Sequence, residues 1–253
     1  MYESNANIQL SINNKIATLT FFHAASNSFT TQMLTDLTWH FNELSSNNTI
    51  NAIVLQSKGE GAFCAGASFN ELQAIDNLEN GTLFFSGFAN VINAMRKCSK
   101  IIIGRVHGKA VGGGVGLAAA CDFIIGTAQS SIKLSEIAIG IGPFVIEPAV
   151  SRKIGKIACS TLTLTPNEWQ TANWAYKNGL YNKIVASDTE LDFEIDTLAQ
   201  QFSTYNSAAL TEIKRVFWEG TDHWDALLID RAKISGRLVL SNYTKNALQE
   251  FKK

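Results

Sequence analysis

Two stretches of this chain carry residue types from which a carbonyl-binding site can be built. One reads Gly61-Ala62-Phe63-Cys64-Ala65-Gly66-Ala67-Ser68-Phe69. The other reads Gly104-Arg105-Val106-His107-Gly108-Lys109-Ala110-Val111-Gly112-Gly113-Gly114. Each sets small residues just after an apolar, strand-like run. Small residues let backbone N–H groups approach a ligand closely. Two such loops facing each other would hold a carbonyl oxygen between two N–H donors, forming an oxyanion hole.

Strands and helices must bring those loops together. Ile8 to Ile12 and Ile16 to Phe22 alternate around Asn13-Asn14, which predicts an opening hairpin. Met33, Leu34, Leu37 and Phe41 recur at helical spacing between Thr30 and Leu44. Ala52 to Gln56 and Ile101 to Ile103 read as buried strands, each leading toward one of the loops. Phe69 to Ile75, Thr82 to Cys98 and Val115 to Ala120 read as helices, and Asp122 to Gly126 and Ser131 to Leu134 as strands. Such alternation predicts an α/β core with right-handed crossovers. Thr165-Pro166-Asn167-Glu168 has the form of a capping box with proline at the first helical position, predicting a helix start. Gly179-Leu180 would end that helix, and Lys183 to Ala186 suits a last short strand. From Asp188 onward the pattern is helical, and the residues beyond about 190 read as an appendage.

Bulk properties narrow the functional classes. The chain has 253 residues, a hydrophobic fraction of 46% and a formal charge of -1. This suits one large domain, or a domain with an appendage, with a sizeable core. A near-neutral balance argues against nucleic acid as a partner. No apolar run reaches the roughly 20 residues that span a bilayer. The N-terminal sequence lacks the basic and apolar regions of a signal peptide, so the expected location is the cytoplasm. Cys64, Cys98, Cys121 and Cys159 are widely spaced, and free buried thiols are expected. No metal motif, phosphate loop or Ser/His/Asp triad is visible. His107 precedes the second loop, where it could touch a ligand or sit hydrogen-bonded at a strand end. Asp122 reads as structural, and Trp169, Trp174, Trp218 and Trp224, at helical positions, as packing residues.

The two loops resemble those of the crotonase, or enoyl-CoA hydratase/isomerase, family over roughly residues 8 to 253. The family's first loop has the form F-x-A-G-A-D, matched by Phe63-Cys64-Ala65-Gly66-Ala67-Ser68. The resemblance assigns one oxyanion donor to the Ala67 N–H. The other is the N–H of Gly113, the middle glycine of a run that opens a helix. Ser68 departs from the usual aspartate. The resemblance also implies coenzyme A contacts at Ala25, Ser26, Ser28, Ala65, Ser68 and Phe69. Lys252 and Lys253 could pair with its phosphates or lie in a solvated tail. The implied fold is a spiral of ββα units over residues 1–190, with a C-terminal helical region over 191–253 that mediates trimers, often paired as hexamers. An acyl-CoA thioester is the implied substrate. Coenzyme A serves as its handle, and no metal or redox cofactor is called for.

Hydratases of this family use two glutamates. One lies three residues after the oxyanion glycine, where this chain has Gly116. The other position is filled by Glu136, within Leu134-Ser135-Glu136-Ile137-Ala138-Ile139-Gly140. Glu136 stands among Ile132, Leu134, Ile137 and Ile139, and an apolar setting raises a carboxyl pKa by disfavouring its charged form. That suits a proton shuttle near neutral pH. One such base can move a double bond between the 3 and 2 positions, and single-glutamate Δ3-Δ2-enoyl-CoA isomerases of the family resemble this chain. They can carry a Gly-Ile-x-x-Pro-Phe segment after that glutamate, where this chain has Gly140-Ile141-Gly142-Pro143-Phe144. Glu147, before Pro148, reads either as a second carboxylate or as a helix-start residue that favours its own charged form. Isomerase is thus the leading expectation. Hydration of a 2-enoyl or methylglutaconyl-type thioester and a non-catalytic acyl-CoA-binding subunit are the alternatives.

Overall fold

The computed structural model describes residues 6–250, so Lys252 and Lys253 lie outside the described residues. The hairpin predicted by alternation is present. Strands β1 (Ala6–Asn13) and β2 (Ile16–His23) pair antiparallel, with Asn13 opposite Ile16. Asn14 and Lys15 both take positive φ, 47° and 65°, the geometry that a tight two-residue hairpin turn requires.

From β2 onward the chain builds a parallel sheet. Strands β3 (Ala52–Ser57), β4 (Ile101–Val106), β6 (Phe123–Thr127) and β9 (Lys183–Val185) complete the order β1-β2-β3-β4-β6-β9, and every pairing after the first is parallel. The central strands read Ala-Ile-Val-Leu-Gln-Ser and Ile-Ile-Ile-Gly-Arg-Val. Near-continuous apolar runs are what a sheet covered on both faces needs. Helices α1 (Thr31–Ser46) and α3 (Leu78–Lys97) contribute Leu34, Leu37, Phe41 and Phe88 to the main core. The opposite face packs Val54, Ile103, Ile125 and Val185 against Leu191, Ile195 and Ala199 of α7 (Asp188–Thr204).

A second, three-stranded sheet joins β5 (Ala110–Val111), β7 (Ser131–Lys133) and β8 (Gln170–Thr171). The chain alternates between the sheets: β4 is followed by β5 and helix α4 (Gly113–Ala120), and β6 by β7 and a short 3-10 turn (Glu136–Ile139). This is the expected mixed α/β architecture.

Two expectations are corrected. Thr165 does not start a helix. It ends α5 (Glu147–Leu164), and Pro166-Asn167 forms a turn leading to β8. The next helix, α6 (Ala172–Lys177), begins after Thr171, whose side chain accepts the Trp174 N–H. Proline just beyond a helix end is as favourable as proline just inside a start, so the motif is ambiguous from sequence. The region beyond residue 190 is helical, but it is built into the core rather than hung from it. Helix α9 (Trp224–Leu238) lies so close to α3 that a Cβ on Gly81 would sit 2.8 Å from the Gly236 carbonyl oxygen. Helix α8 (Ser207–Phe217) is anchored by buried Lys214, whose Nζ donates to the Lys100 carbonyl at 2.7 Å and pairs with Asp122 Oδ2 at 2.9 Å. Asp122 also accepts the Ile102 N–H and Trp218 Nε1–H, each at 2.8 Å, so its role is structural, as expected. Helix α10 (Asn242–Glu250) returns onto the turn that carries Glu136, where a Cβ on Gly140 would meet Tyr243 and Thr244.

Candidate active site

The small sheet gathers the chemistry-bearing segments. Cys64 bridges Ala110 in parallel, and β5 pairs with β7 in parallel. The residues that follow Cys64, β5 and β7 therefore leave the sheet at one end. They line one largely apolar cavity of about 150 Å³: Ala65, Gly66 and Ala67 from the first loop, Val111, Gly112 and Gly113 from the second, and Ser135 and Glu136 from the third. Phe69, Leu72, Phe85, Phe88, Ile139, Ile141, Gly142, Pro143, Val145, Ile146 and Ser235 complete the wall.

The two loops are in contact. A Cβ on Gly66 would lie 3.1 Å from the Val111 carbonyl oxygen and 3.7 Å from the Gly113 nitrogen. Gly66, with φ of 91°, turns the chain so that its carbonyl accepts the Phe29 N–H, and Ser68 N–H donates back to the Phe29 carbonyl. Ala67 N–H, between them, donates to no group among the described residues. Gly113 opens α4, where the first N–H groups have no partner within the helix. Both expected donors thus border the cavity with hydrogen-bonding capacity to spare, and the helix start adds the positive end of a dipole.

Glu136 lies against this pair. Gly112 has φ of 51°, and a Cβ there would come within 2.8 Å of Glu136 Oε1. Only glycine combines that backbone with that approach. Glu136 is half-buried as a residue, yet its Oε2 is shut off from solvent and has no hydrogen-bond partner among the described residues. Burial pushes its carboxyl up to about 7, and backbone hydrogen bonds at Glu136 and Ser135 pull it partly back. It is the one ionisable side chain among the residues lining the cavity.

Glu147 is elsewhere. It begins α5 with its carboxylate paired to Arg231, which also donates to the Phe144 carbonyl at 3.2 Å, and it does not line the cavity. The side of Gly116 is filled by Ile146, whose Cγ2 would be 2.4 Å from a Cβ at 116. Among the positions expected against coenzyme A, Ala65 and Phe69 line the cavity, while Ala25 and Ser26 are exposed on the adjoining loop. Ser28 turns inward to His23 Nδ1 at 2.9 Å, and buried Ser68 caps helix α2 (Phe69–Gln73) through the Glu71 N–H. His107 is buried away from the cavity, and neither ring nitrogen has a hydrogen-bond partner among the described residues, unlike the hydrogen-bonded strand-end reading. All four cysteines are free and buried, and burial pushes the Cys64 thiol up to about 12, far from a nucleophile's range. Among the described residues no cluster of three or more His, Cys, Asp or Glu could hold a metal ion, and no helix is long and apolar enough to cross a membrane.

The family model described as enoyl-CoA hydratase/isomerase matches residues 11–242. The chain belongs to the enoyl-CoA hydratase/isomerase family. A "probable enoyl-CoA hydratase" of Rhizobium meliloti is 32% identical over 170 residues, covering 66% of this chain and 64% of that protein. The match thus spans just under two thirds of that relative. The short-chain-enoyl-CoA hydratase of Clostridium acetobutylicum is 28% identical over 181 residues, 71% of this chain and 69% of the other. The crystal structure of an enoyl-CoA hydratase from Bacillus halodurans has a TM-score of 0.87 at 19% identity, covering 96% of this chain and 99% of that one. That of Mycobacterium smegmatis enoyl-CoA hydratase gives 0.80 at 25% identity, covering 97% and 95%. The fold is therefore crotonase-like, as the loops implied.

Sequence reasoning missed several residues of this cavity. Ile146, Phe85, Phe88 and Ser235 line the cavity from α3, α9 and the segment before α5, and nothing in their local sequence signals it. Arg231, the partner of Glu147, lies on α9 and was equally silent. Gly112 could have been found, since a glycine run followed by a helix often hides one residue with positive φ.

Proposed function

We propose that this chain is a Δ3-Δ2-enoyl-CoA isomerase that uses Glu136 as its single acid/base. The thioester carbonyl of a 3-enoyl-CoA sits between the Ala67 and Gly113 N–H groups. Glu136 takes a proton from C2, and the electron pair moves onto the carbonyl oxygen as an enolate held by the two donors. The enolate collapses to a double bond between C2 and C3, the former double-bond electrons take the proton from Glu136 at C4, and the carboxylate is regenerated. The donors stabilise the charge that exists only part-way through the reaction, so they lower the barrier rather than only tightening binding. A carboxyl near 7 can both accept and return the proton around neutral pH.

One observation carries this reading. The position at which a second carboxylate would enter is Gly116, and Ile146 fills the space beside it, so the cavity wall presents Glu136 alone. Hydration is the second reading, favoured by relatives that are named hydratases. There Glu136 would act on water by itself. Subunit association through the C-terminal helices, as trimers or hexamers, belongs to the same proposal.

Purified protein and its Glu136→Gln variant, assayed on 3-hexenoyl-CoA and crotonyl-CoA, test the reading. Isomerisation well above hydration, lost in the variant, supports it. Hydration as the dominant activity moves the function to a hydratase. Tight thioester binding without turnover of either points to a binding subunit.

A further inference from the structure

The cavity beside Glu136 does not stand alone. A second, surface-opening pocket of about 400 Å³ lies between α2 and α10. Its lining is mixed: Ile75, Val239 and Leu248 give it an apolar part, and Gln73, Asp76, Lys245 and Gln249 a polar one. Gln73 Nε2 donates to the Leu248 carbonyl at 2.9 Å, tying the two helices together across it. Leu72 is the residue that borders both spaces. It is only 7% exposed, and it belongs to one apolar cluster that includes Ile75, Ile141, Val239 and Leu248, residues that line one space or the other.

We propose that Leu72 is the chain-length gate of this enzyme, closing the acyl pocket so that it takes acyl chains of about six carbons or fewer. The inference rests on the functional reading above, in which the cavity receives the acyl group of a coenzyme A thioester. The cavity, about 150 Å³ and partly open to solvent, has room for a molecule the size of benzene, so a longer chain that continues inward must pass its wall. Leu72 is the part of the wall with a second, partly apolar space behind it. Removing its side chain joins the two spaces into a continuous channel, in which Ile75, Val239 and Leu248 offer apolar surface to further methylenes.

Calorimetric binding of saturated butyryl-CoA and decanoyl-CoA tests the gate independently of which reaction Glu136 performs. Each methylene newly buried is worth roughly fourfold in affinity. Leu72→Ala is expected to bind decanoyl-CoA at least about tenfold more tightly than the parent protein, with butyryl-CoA changed by less than about threefold. Leu72→Val, a smaller excavation, should move the same way by less. Ala74 is exposed and lines the outer pocket, so adding Ala74→Trp to Leu72→Ala should fill the new channel and cancel the gain. The gate is overturned if the parent protein already prefers decanoyl-CoA tenfold. It is also overturned if both Leu72 variants keep butyryl-CoA binding without gaining decanoyl-CoA affinity, or if Ala74→Trp leaves the gain intact. Butyryl-CoA binding with the predicted length profile but no isomerisation would sink the isomerase reading while supporting the gate.

Discussion

Ile146 occupies the room into which any side chain at Gly116 would grow. A Cβ built on Gly116 lies 2.4 Å from Ile146 Cγ2 and 2.6 Å from its Cβ, distances no packed core tolerates. The position is therefore closed by a neighbour as well as emptied of its carboxylate. Gly116→Glu alone is expected to lose stability and to show no new hydration, because overpacking displaces the surrounding chain. Gly116→Glu combined with Ile146→Ala supplies the missing room, and crotonyl-CoA hydration should rise in the pair relative to either single change. Steady-state hydration assays on the three variants decide it.

Glu136 links activity to stability with opposite signs. Its carboxyl titrates at about 7 in the folded protein against an ordinary 4.5. The folded chain thus keeps a proton that the unfolded chain has released. Stability is full below about pH 4.5 and declines as the pH climbs to about 7, where the loss approaches about 3 kcal/mol. Glu136→Gln never carries the charge. It should match the parent in urea unfolding at pH 4.5, exceed it at pH 8 by about that amount, and yet be inactive. For the parent, kcat/KM on a 3-enoyl-CoA should fall about tenfold per pH unit below about pH 6.5, as the base form is lost.

Gly112→Ala isolates the contact between the second loop and the base. Its φ of 51° strains any other residue, and the added methyl would meet Glu136 Oε1 at 2.8 Å. The carboxyl must shift to make way, and a misplacement of about 1 Å in a reacting group can cost about 100-fold in rate. A fall in kcat of that order, with butyryl-CoA still bound, is the expected result.

Glu147 gives the complementary control. It faces Arg231 outside the cavity, so Glu147→Gln keeps a hydrogen-bond acceptor while removing the charge. Activity should change by no more than about fivefold, the scale of a partly exposed ion pair. A loss of 100-fold or more would mean that it acts as a second carboxylate.

Asp122 and Lys214 make the opposite kind of pair, with both side chains 2% exposed. Asp122→Asn leaves the ammonium of Lys214 buried without its counter-charge, a change that costs about 3–5 kcal/mol. Chemical unfolding should show that loss. Lys214→Met with Asp122→Asn should recover part of it, because the buried ammonium of Lys214 is then gone as well.

The sequence is most legible where local chemistry decides the outcome. Asn13-Asn14 announces a turn, which falls one residue later at Asn14-Lys15, and the apolar runs at 52–56 and 101–103 announce buried strands. The two glycine-bearing loops are legible as places of close backbone approach, whereas the role read for Glu136 comes from the resemblance to a family and not from spacing. Thr165-Pro166 misleads because the same residues serve a helix end and a helix start. What is silent arises from distance along the chain. Ile146 against Gly116, Arg231 against Glu147, and Ser235 in the cavity wall join segments brought together only by the completed core. No local pattern can announce such partners. The helices after residue 190 read as peripheral because an amphipathic face says that something is covered without saying what.

The contact between Gly81 and Gly236 bears on how this scaffold can change. In most of a protein interior, an enlarged side chain can be accommodated by trimming the residue it meets. Here each partner already lacks a side chain, and each would strike the other's backbone on gaining one. Neither position has a smaller alternative, so no second substitution can rescue the first. The crossing of α3 and α9 is a point from which mutational drift cannot depart stepwise. Phe85, Phe88 and Ser235, carried into the cavity by those two helices, inherit a fixed frame. New specificities in this lineage have to come from exchanging the side chains on that frame, because the frame itself has no neighbouring design to move to.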